Sequence, residues 1–191
     1  MEAEFGAVVL TGGTAARMGG ADKAGLVVGA ATLLERALAA TAEAAEVVVV
    51  GEPVATSRPV TWTREDPPGG GPAAGLLAGI DAFRRPWEVV AVLAVDMPRV
   101  TGTTVDRLLA ALRPGADGAL LVDPGGRRQL LCGTYRLAAL RRVRPRTRSE
   151  EAGLPVRRLL EPLQLVEVPG VADEAHDVDT WEDLEALRER P

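Results

Sequence analysis

Lysine is almost absent from this chain: Lys23 stands alone against twenty-one arginines in 191 residues. Asparagine is missing altogether, and isoleucine occurs once, at Ile80. Together these point to a compositional bias of the encoding genome, so the many arginines carry little functional signal and the surviving lysine carries more. A single cysteine, Cys132, excludes an internal disulfide. The one histidine, His176, has no second histidine or cysteine cluster with which to build a zinc site, and no role is assigned to it. No apolar run approaches the roughly 20 residues of a membrane helix. The acidic start, MEAEFG, is unlike the basic start of a secretory leader. A net charge of -5 and a pI near 5.1 disfavour a polyanionic partner. The expectation is a cytoplasmic protein with no nucleic-acid and no membrane partner.

What is present is ample material for a core: 47% of the residues are hydrophobic and 26% charged, and the length fits one domain over residues 1–191. FGAVVLT from Phe5 to Thr11 reads as a buried strand, followed by a glycine-rich segment. Thr32 and Glu35 are spaced as a capping box for the helix that follows. EVVVVGE and RPVTWTRED read as further strands, and Pro72 to Phe83 as a helix starting at its proline. EVVAVLAVD, ending at Asp96, is the clearest buried strand. Thr101 to Leu112 reads as a helix, GALLVD and RQLLCGTYR as strands, Arg136 to Arg142 as a helix, Val156 to Leu160 as a helical turn, LQLVEV as a strand and Thr180 to Arg188 as a closing helix. Such alternation predicts an α/β domain with a mostly parallel sheet. Arg144 to Pro155 reads as a polar, proline-marked loop.

In open parallel sheets ligands sit beyond the carboxyl ends of the strands, so the residues following each strand are the ones to weigh. Gly12, Gly13, Gly19 and Gly20 follow the first strand. Glycines there let backbone N–H groups approach a phosphate, or they simply form a flexible turn. Neither common phosphate-loop template fits their spacing. Lys23 tips the balance, because an ammonium is a compact charge that can follow a moving phosphoryl group, whereas Arg17 offers a fixed planar fork. Asp66 lies between a strand end and the glycine turn before the next helix, placed either to contact a sugar or base or to cap a turn. Asp96 is either a cap or a magnesium ligand of the kind that shares its cation with substrate phosphates. Asp177 and Asp179 alternate along an extended segment and face one way, repelling each other unless a cation or arginine intervenes; Asp179 and Thr180 are also candidate helix caps. Arg136 to Arg148 holds six arginines in thirteen residues, read as a solvated face or a surface for an anionic partner. Trp62, Trp87 and Trp181 read as core and rim.

LTGGTAARMGGADKAGL, EDPPGGGPAAGL, AVDMP, RRQLLCGTYR and DVDTWEDL occur in an order and spacing that resembles the molybdenum cofactor guanylyltransferases and their MobA-like nucleotidyltransferase relatives, over essentially the whole chain. The resemblance implies a Rossmann-like, three-layer, GT-A-like nucleotidyltransferase fold. It implies an Mg2+-dependent enzyme that joins GMP from GTP to molybdopterin, with release of pyrophosphate. By the same resemblance Leu10, Thr11 and Gly12 hold the nucleotide, Lys23 meets its phosphates, Asp66 lies near the nucleoside and Asp96 binds the metal; read from the residues themselves, Gly13 joins the nucleotide-binding stretch, Arg17 offers its fork to a different phosphate, and Asp179 is a second candidate metal ligand. Transient contact with cofactor-assembly or molybdoenzyme partners is implied as well. The chain departs from the pattern in having Thr11 for alanine, Gly51 and Glu52 where relatives offer an asparagine, and Asp177 and Asp179 for late asparagines. A molybdopterin cytidylyltransferase, another small-molecule nucleotidyltransferase and a non-catalytic nucleotide-binding adaptor are the alternatives.

Overall fold

The structure, a computed structural model, describes residues 4–12 and 23–189. Nine short strands and seven helices alternate along them. The strands are β1 (Gly6–Leu10), β2 (Val27–Val28), β3 (Ala31–Thr32), β4 (Glu46–Val50), β5 (Thr61–Thr63), β6 (Val89–Ala94), β7 (Gly118–Val122), β8 (Arg128–Arg136) and β9 (Leu165–Pro169). The helices are α1 (Leu33–Ala40), α2 (Gly71–Asp81), α3 (Gly102–Ala110), α4 (Leu137–Arg142), α5 (Arg148–Glu151), α6 (Val156–Leu160) and α7 (Trp181–Glu189). A 3-10 turn, Lys23–Gly25, precedes the small β2–β3 hairpin.

Seven strands form one sheet in the order β5-β4-β1-β6-β8-β7-β9. It is mostly parallel, and only β8 runs against its neighbours β6 and β7. The alternation of side chains along each strand divides the core in two. Ala7, Val9, Val49, Ala91 and Leu93 face a layer built by α1, α3 and α7. Val8, Leu10, Val50, Val90 and Val92 face the opposite layer of α2, α4 and α6. Strands buried on both faces must be apolar throughout, which is why β1 and β6 read as unbroken hydrophobic runs.

Helix α2 lies against the sheet because its inner face is glycine. A methyl group on Gly79 would stand 2.5 Å from Val8 Cγ1 and 3.1 Å from Val50 Cγ2, and one on Gly75 would stand 3.2 Å from Leu10 Cδ2. Overpacking of this kind costs about 1–3 kcal/mol. The helix starts at Gly71, one residue before Pro72. At α1 only half of the expected capping box forms: Thr32 Oγ1 accepts from Glu35 N at 3.1 Å, while the Glu35 carboxylate turns to Ser57 N at 2.9 Å.

The stretch from Arg144 to Pro155, expected to be a loop, contains α5 and is tied to both ends of α2. Arg144 bridges Asp81 at 2.7 Å and the buried Glu151 at 2.6 Å, and Gly153 N donates to Gly70 O at 2.8 Å. Arginines in the surrounding run are likewise absorbed by the fold: Arg136 pairs with Glu88 and Arg142 with Asp117, each at 2.8 Å. The Arg142 guanidinium and the Gln164 N–H beside Asp117 hold its carboxyl below the usual range. No helix among the described residues is long and apolar enough to cross a membrane.

Candidate active site

Because β1 pairs in parallel with β4 on one side and β6 on the other, the chain leaves the carboxyl ends of three adjacent strands together. The ladders continue past the strands: Thr11 N donates to Val50 O at 3.1 Å, Val95 N to Leu10 O at 3.1 Å, and Gly51 N to Thr63 O at 2.9 Å. Leu10, Thr11, Gly12, Gly51 and Asp96 are thereby set side by side. A sheet whose order reverses about a central strand leaves its ligand crevice there.

Lys23 is drawn into this edge. Its side chain is 10% exposed, and Nζ donates to Val178 O at 2.8 Å and Asp179 Oδ1 at 2.9 Å, with Asp96 Oδ2 at 3.8 Å. The segment before α7 is held in register by Val178 N donating to Asp96 O at 2.7 Å. Asp179 is therefore a partner of the lysine, and the capping role falls to its neighbour. Thr180 Oγ1 accepts from Asp183 N at 3.1 Å, and Asp183 Oδ2 accepts from Thr180 N at 2.8 Å, a reciprocal box at the start of α7.

Burial pushes the Asp96 carboxyl above the ordinary aspartate range, and the neighbouring Asp179 and Asp177 carboxylates add to that, against the opposing pull of Lys23. Asp177 has its own counter-ion, Arg127, at 3.2 Å. The repulsion expected between Asp177 and Asp179 is thus relieved twice, by a different cation for each. Arg127 follows the DPGG turn between β7 and β8, where Gly126 N donates to Asp123 O and Asp123 N to Arg127 O, and it opens the RRQLLCGTYR stretch; the sequence marks it only as part of that stretch and of the turn before it.

The segment carrying these aspartates is braced from behind. Glu174 accepts from Thr104 Oγ1 at 2.8 Å, Val171 N at 2.8 Å and Arg107 Nη2 at 2.5 Å. Burial raises its pKa, but the bonds from Arg107, Val171 N and Thr104 outweigh it and hold the group below the usual range. Gln129 Nε2 adds a bond to Ala175 O at 3.1 Å.

Beside this charged centre opens a cleft of about 340 Å³, within the range of small-ligand sites, whose walls include Leu10, Gly12, Val50, Glu65, Gly71 and Gly75. Asp66, the aspartate singled out in the sequence, is exposed, and its neighbour Glu65 forms the cleft wall. The side-chain direction within REDPP was not readable from the sequence. Thr11 Oγ1 donates to Val50 O at 2.9 Å and fills the space a side chain on Gly51 would need. The two departures at 11 and 51 are therefore one packing arrangement. Gly13 and Arg17 lie outside the described residues.

A wider cleft, about 550 Å³, opens beside the first residues of β4 and β5 at the opposite end of the sheet. Its Glu46 is engaged by Trp87 Nε1 at 3.0 Å and Arg84 N at 2.9 Å, and Arg58 closes on the carbonyls of Thr41, Ala42 and Ala44. With its acid and one of its arginines so engaged, and away from the strands' carboxyl ends, it is not the place for chemistry.

The fold and site define a nucleotidyltransferase-type architecture. The chain belongs to the MobA-like NTP transferase domain family, whose profile matches residues 7–168. It is 32% identical over 135 residues to a molybdenum cofactor guanylyltransferase of Mesorhizobium japonicum, covering 67% of this chain and 65% of that protein. It is 34% identical to one of Bradyrhizobium sp. over 67% of this chain and 64% of the relative. The match thus spans just under two thirds of the length of these curated relatives. Among solved structures, molybdopterin-guanine dinucleotide biosynthesis protein A of Archaeoglobus fulgidus superposes with a TM-score of 0.72 at 19% identity, covering 96% of this chain and 97% of that one. The 2-C-methyl-D-erythritol 4-phosphate cytidylyltransferase of Thermus thermophilus superposes with 0.70 at 23% identity, covering 95% and 96%. At these identities the two structures establish the shared Rossmann-like fold.

Proposed function

We propose that this protein is a cytoplasmic molybdenum cofactor guanylyltransferase, transferring GMP from GTP to molybdopterin and releasing pyrophosphate. The observation that carries the reading is the buried ammonium of Lys23 between Asp96 and Asp179, at the strand ends beside the glycine-walled cleft. The names of the curated relatives support the choice of substrates.

In this reading the nucleoside lies in the cleft, and the glycine-rich stretch that follows Leu10 and Thr11 supplies backbone N–H groups to its phosphates. Lys23 Nζ meets the phosphates as a point charge, and Arg17 supplies a planar fork to another phosphate. A terminal phosphate oxygen of the acceptor attacks the α-phosphorus. A new P–O bond forms, the bond from the α-phosphorus to the bridging oxygen breaks, and its electron pair leaves on pyrophosphate. The attacking phosphate is already ionised near neutral pH, so no general base is needed. Catalysis is alignment plus charge stabilisation.

Asp96 and Asp179 present hard carboxylate oxygens on either side of one cation, a donor set that suits Mg2+ sharing its shell with water and substrate phosphates. When bound there, it would supply Lewis-acid neutralisation of phosphate charge.

The test is pyrophosphate release from GTP, CTP, ATP and UTP with Mg2+, each with and without molybdopterin. Release that requires both GTP and molybdopterin is expected. Release with CTP in place of GTP would make the protein a cytidylyltransferase, and nucleotide binding without release would make it an adaptor.

A further inference from the structure

We propose that Glu65 is the residue that selects guanine, an assignment that rests on the nucleotide reading of the cleft beside Lys23. Glu65 is on the cleft wall together with Leu10, Val50 and the backbone of Gly71 and Gly75, while the adjacent Asp66 stands in solvent. Leu10, Val50, Pro72 and the glycine backbone give the slot a surface that suits a flat heterocycle; of the two charged side chains on its wall, Arg64 is paired with Glu52, which leaves Glu65 to read the edge of that ring.

The Glu65 carboxylate is held for this task. Its Oε1 accepts from Gly69 N at 3.1 Å, inside the turn that leads to α2, and Oε2 has no partner among the described residues. An ionised carboxylate can only accept hydrogen bonds. Of the four common bases, guanine alone presents two adjacent donors on its pairing edge, N1–H and the 2-amino group. Cytosine and adenine each place a ring-nitrogen acceptor beside their amino group, and uracil flanks its single N–H with carbonyl oxygens. Each of those three would set a lone pair against the carboxylate. Glu65 is half-buried, and a base seated in the slot would cover its carboxylate; an acceptor covered in this way and left unpaired by the wrong ligand is what makes such a site discriminating.

The assignment is tested by dissociation constants of GTP, ITP, CTP and ATP, with Mg2+, for the wild-type protein and Glu65→Gln. ITP is guanosine triphosphate without the 2-amino group. The wild type is expected to bind GTP at least about 10-fold more tightly than ITP. The glutamine of the variant would retain the turn bond through its amide oxygen but direct an NH2 donor at guanine's donors. Affinity for GTP is therefore expected to fall about 10- to 100-fold, that for CTP and ATP to stay within about threefold, and the preference for GTP over ITP to disappear. Equal weakening for all four nucleotides would mean that Glu65 holds the ribose or the turn, and would overturn the assignment while leaving the nucleotide site standing. Wild-type protein that binds ITP as tightly as GTP would overturn it without recourse to any variant. Wild-type protein that binds none of the four would overturn the nucleotide site and this assignment together.

Discussion

Lys23 Nζ lies 2.9 Å from Asp179 Oδ1, although 156 positions separate the two residues in the chain. The pair joins the turn that enters the β2–β3 hairpin to the segment that enters α7, and it does so within 4 Å of the Asp96 carboxylate. The chain that uses arginine nearly everywhere uses lysine where three oxygens, Val178 O and the two carboxylates, converge on a single buried nitrogen.

Lys23→Arg is expected to lose most of its turnover and about 1–3 kcal/mol of stability, because a planar guanidinium cannot place one compact charge in that buried space. Steady-state rates and thermal unfolding check this together. Full activity and an unchanged Tm would show that the lysine is an accident of coding.

Asp96→Asn separates function from stability. The native-state pKa of Asp96 is raised by burial and by the nearby carboxylates. Its protonated form is thus favoured by folding, and the stability it contributes is lost as pH rises through the folded pKa. Near pH 7 the neutral variant is expected to unfold at or above the wild-type temperature, the difference closing in acid, while turnover falls more than about 100-fold. A variant that is less stable than wild type at pH 7 and keeps its rate would contradict both halves.

Glu174→Gln probes the brace behind the aspartates. Folding lowers this pKa, so its contribution is present above the ordinary carboxyl range and is lost as pH falls through the folded value. The variant is expected to cost about 1–3 kcal/mol at neutral pH, since it breaks a largely buried, charge-assisted pair with Arg107. Unfolding curves at pH 7 and pH 4 check it: the deficit narrows at the lower pH, and a pH-independent deficit would point to packing in place of charge.

The Thr11 and Gly51 arrangement predicts a rescue. Gly51→Ala is expected to cost about 1 kcal/mol or more, by forcing Thr11 Oγ1 off Val50 O, and the same change in a Thr11→Ala background is expected to cost less, the remainder coming from the close approach to the residue-11 Cβ. Additive losses in a double-mutant cycle would show that the two positions are independent.

Lys23 and Asp96 were legible in the sequence for local reasons, one surviving a compositional bias and the other ending the most apolar strand. Their company was not legible. Nothing in the chain's periodicity brings Val178 O and Asp179 back to residue 23, or Arg127 to Asp177, because those pairings are made by a sheet that folds residues more than a hundred positions apart, or a turn and a strap, onto one edge. The alternation of strand and helix gave the layers, but β8 runs antiparallel, and a hydrophobic run carries no mark of direction. The β2–β3 hairpin and α5 are too short to leave a period in the sequence, and which of Glu65 and Asp66 faces the cleft depends on side-chain direction within a turn, where no period applies.

The measurement that bears most directly on the proposed chemistry is the fate of labelled GTP incubated with the protein, Mg2+ and molybdopterin. Label at the α-phosphate is expected to appear in a guanine dinucleotide product, and label at the γ-phosphate in pyrophosphate, with neither transfer made by Asp96→Asn. If γ-label moved to the acceptor, or α-label remained in GTP while the nucleotide was bound, nucleotidyl transfer at the Lys23 and Asp96 site would be contradicted.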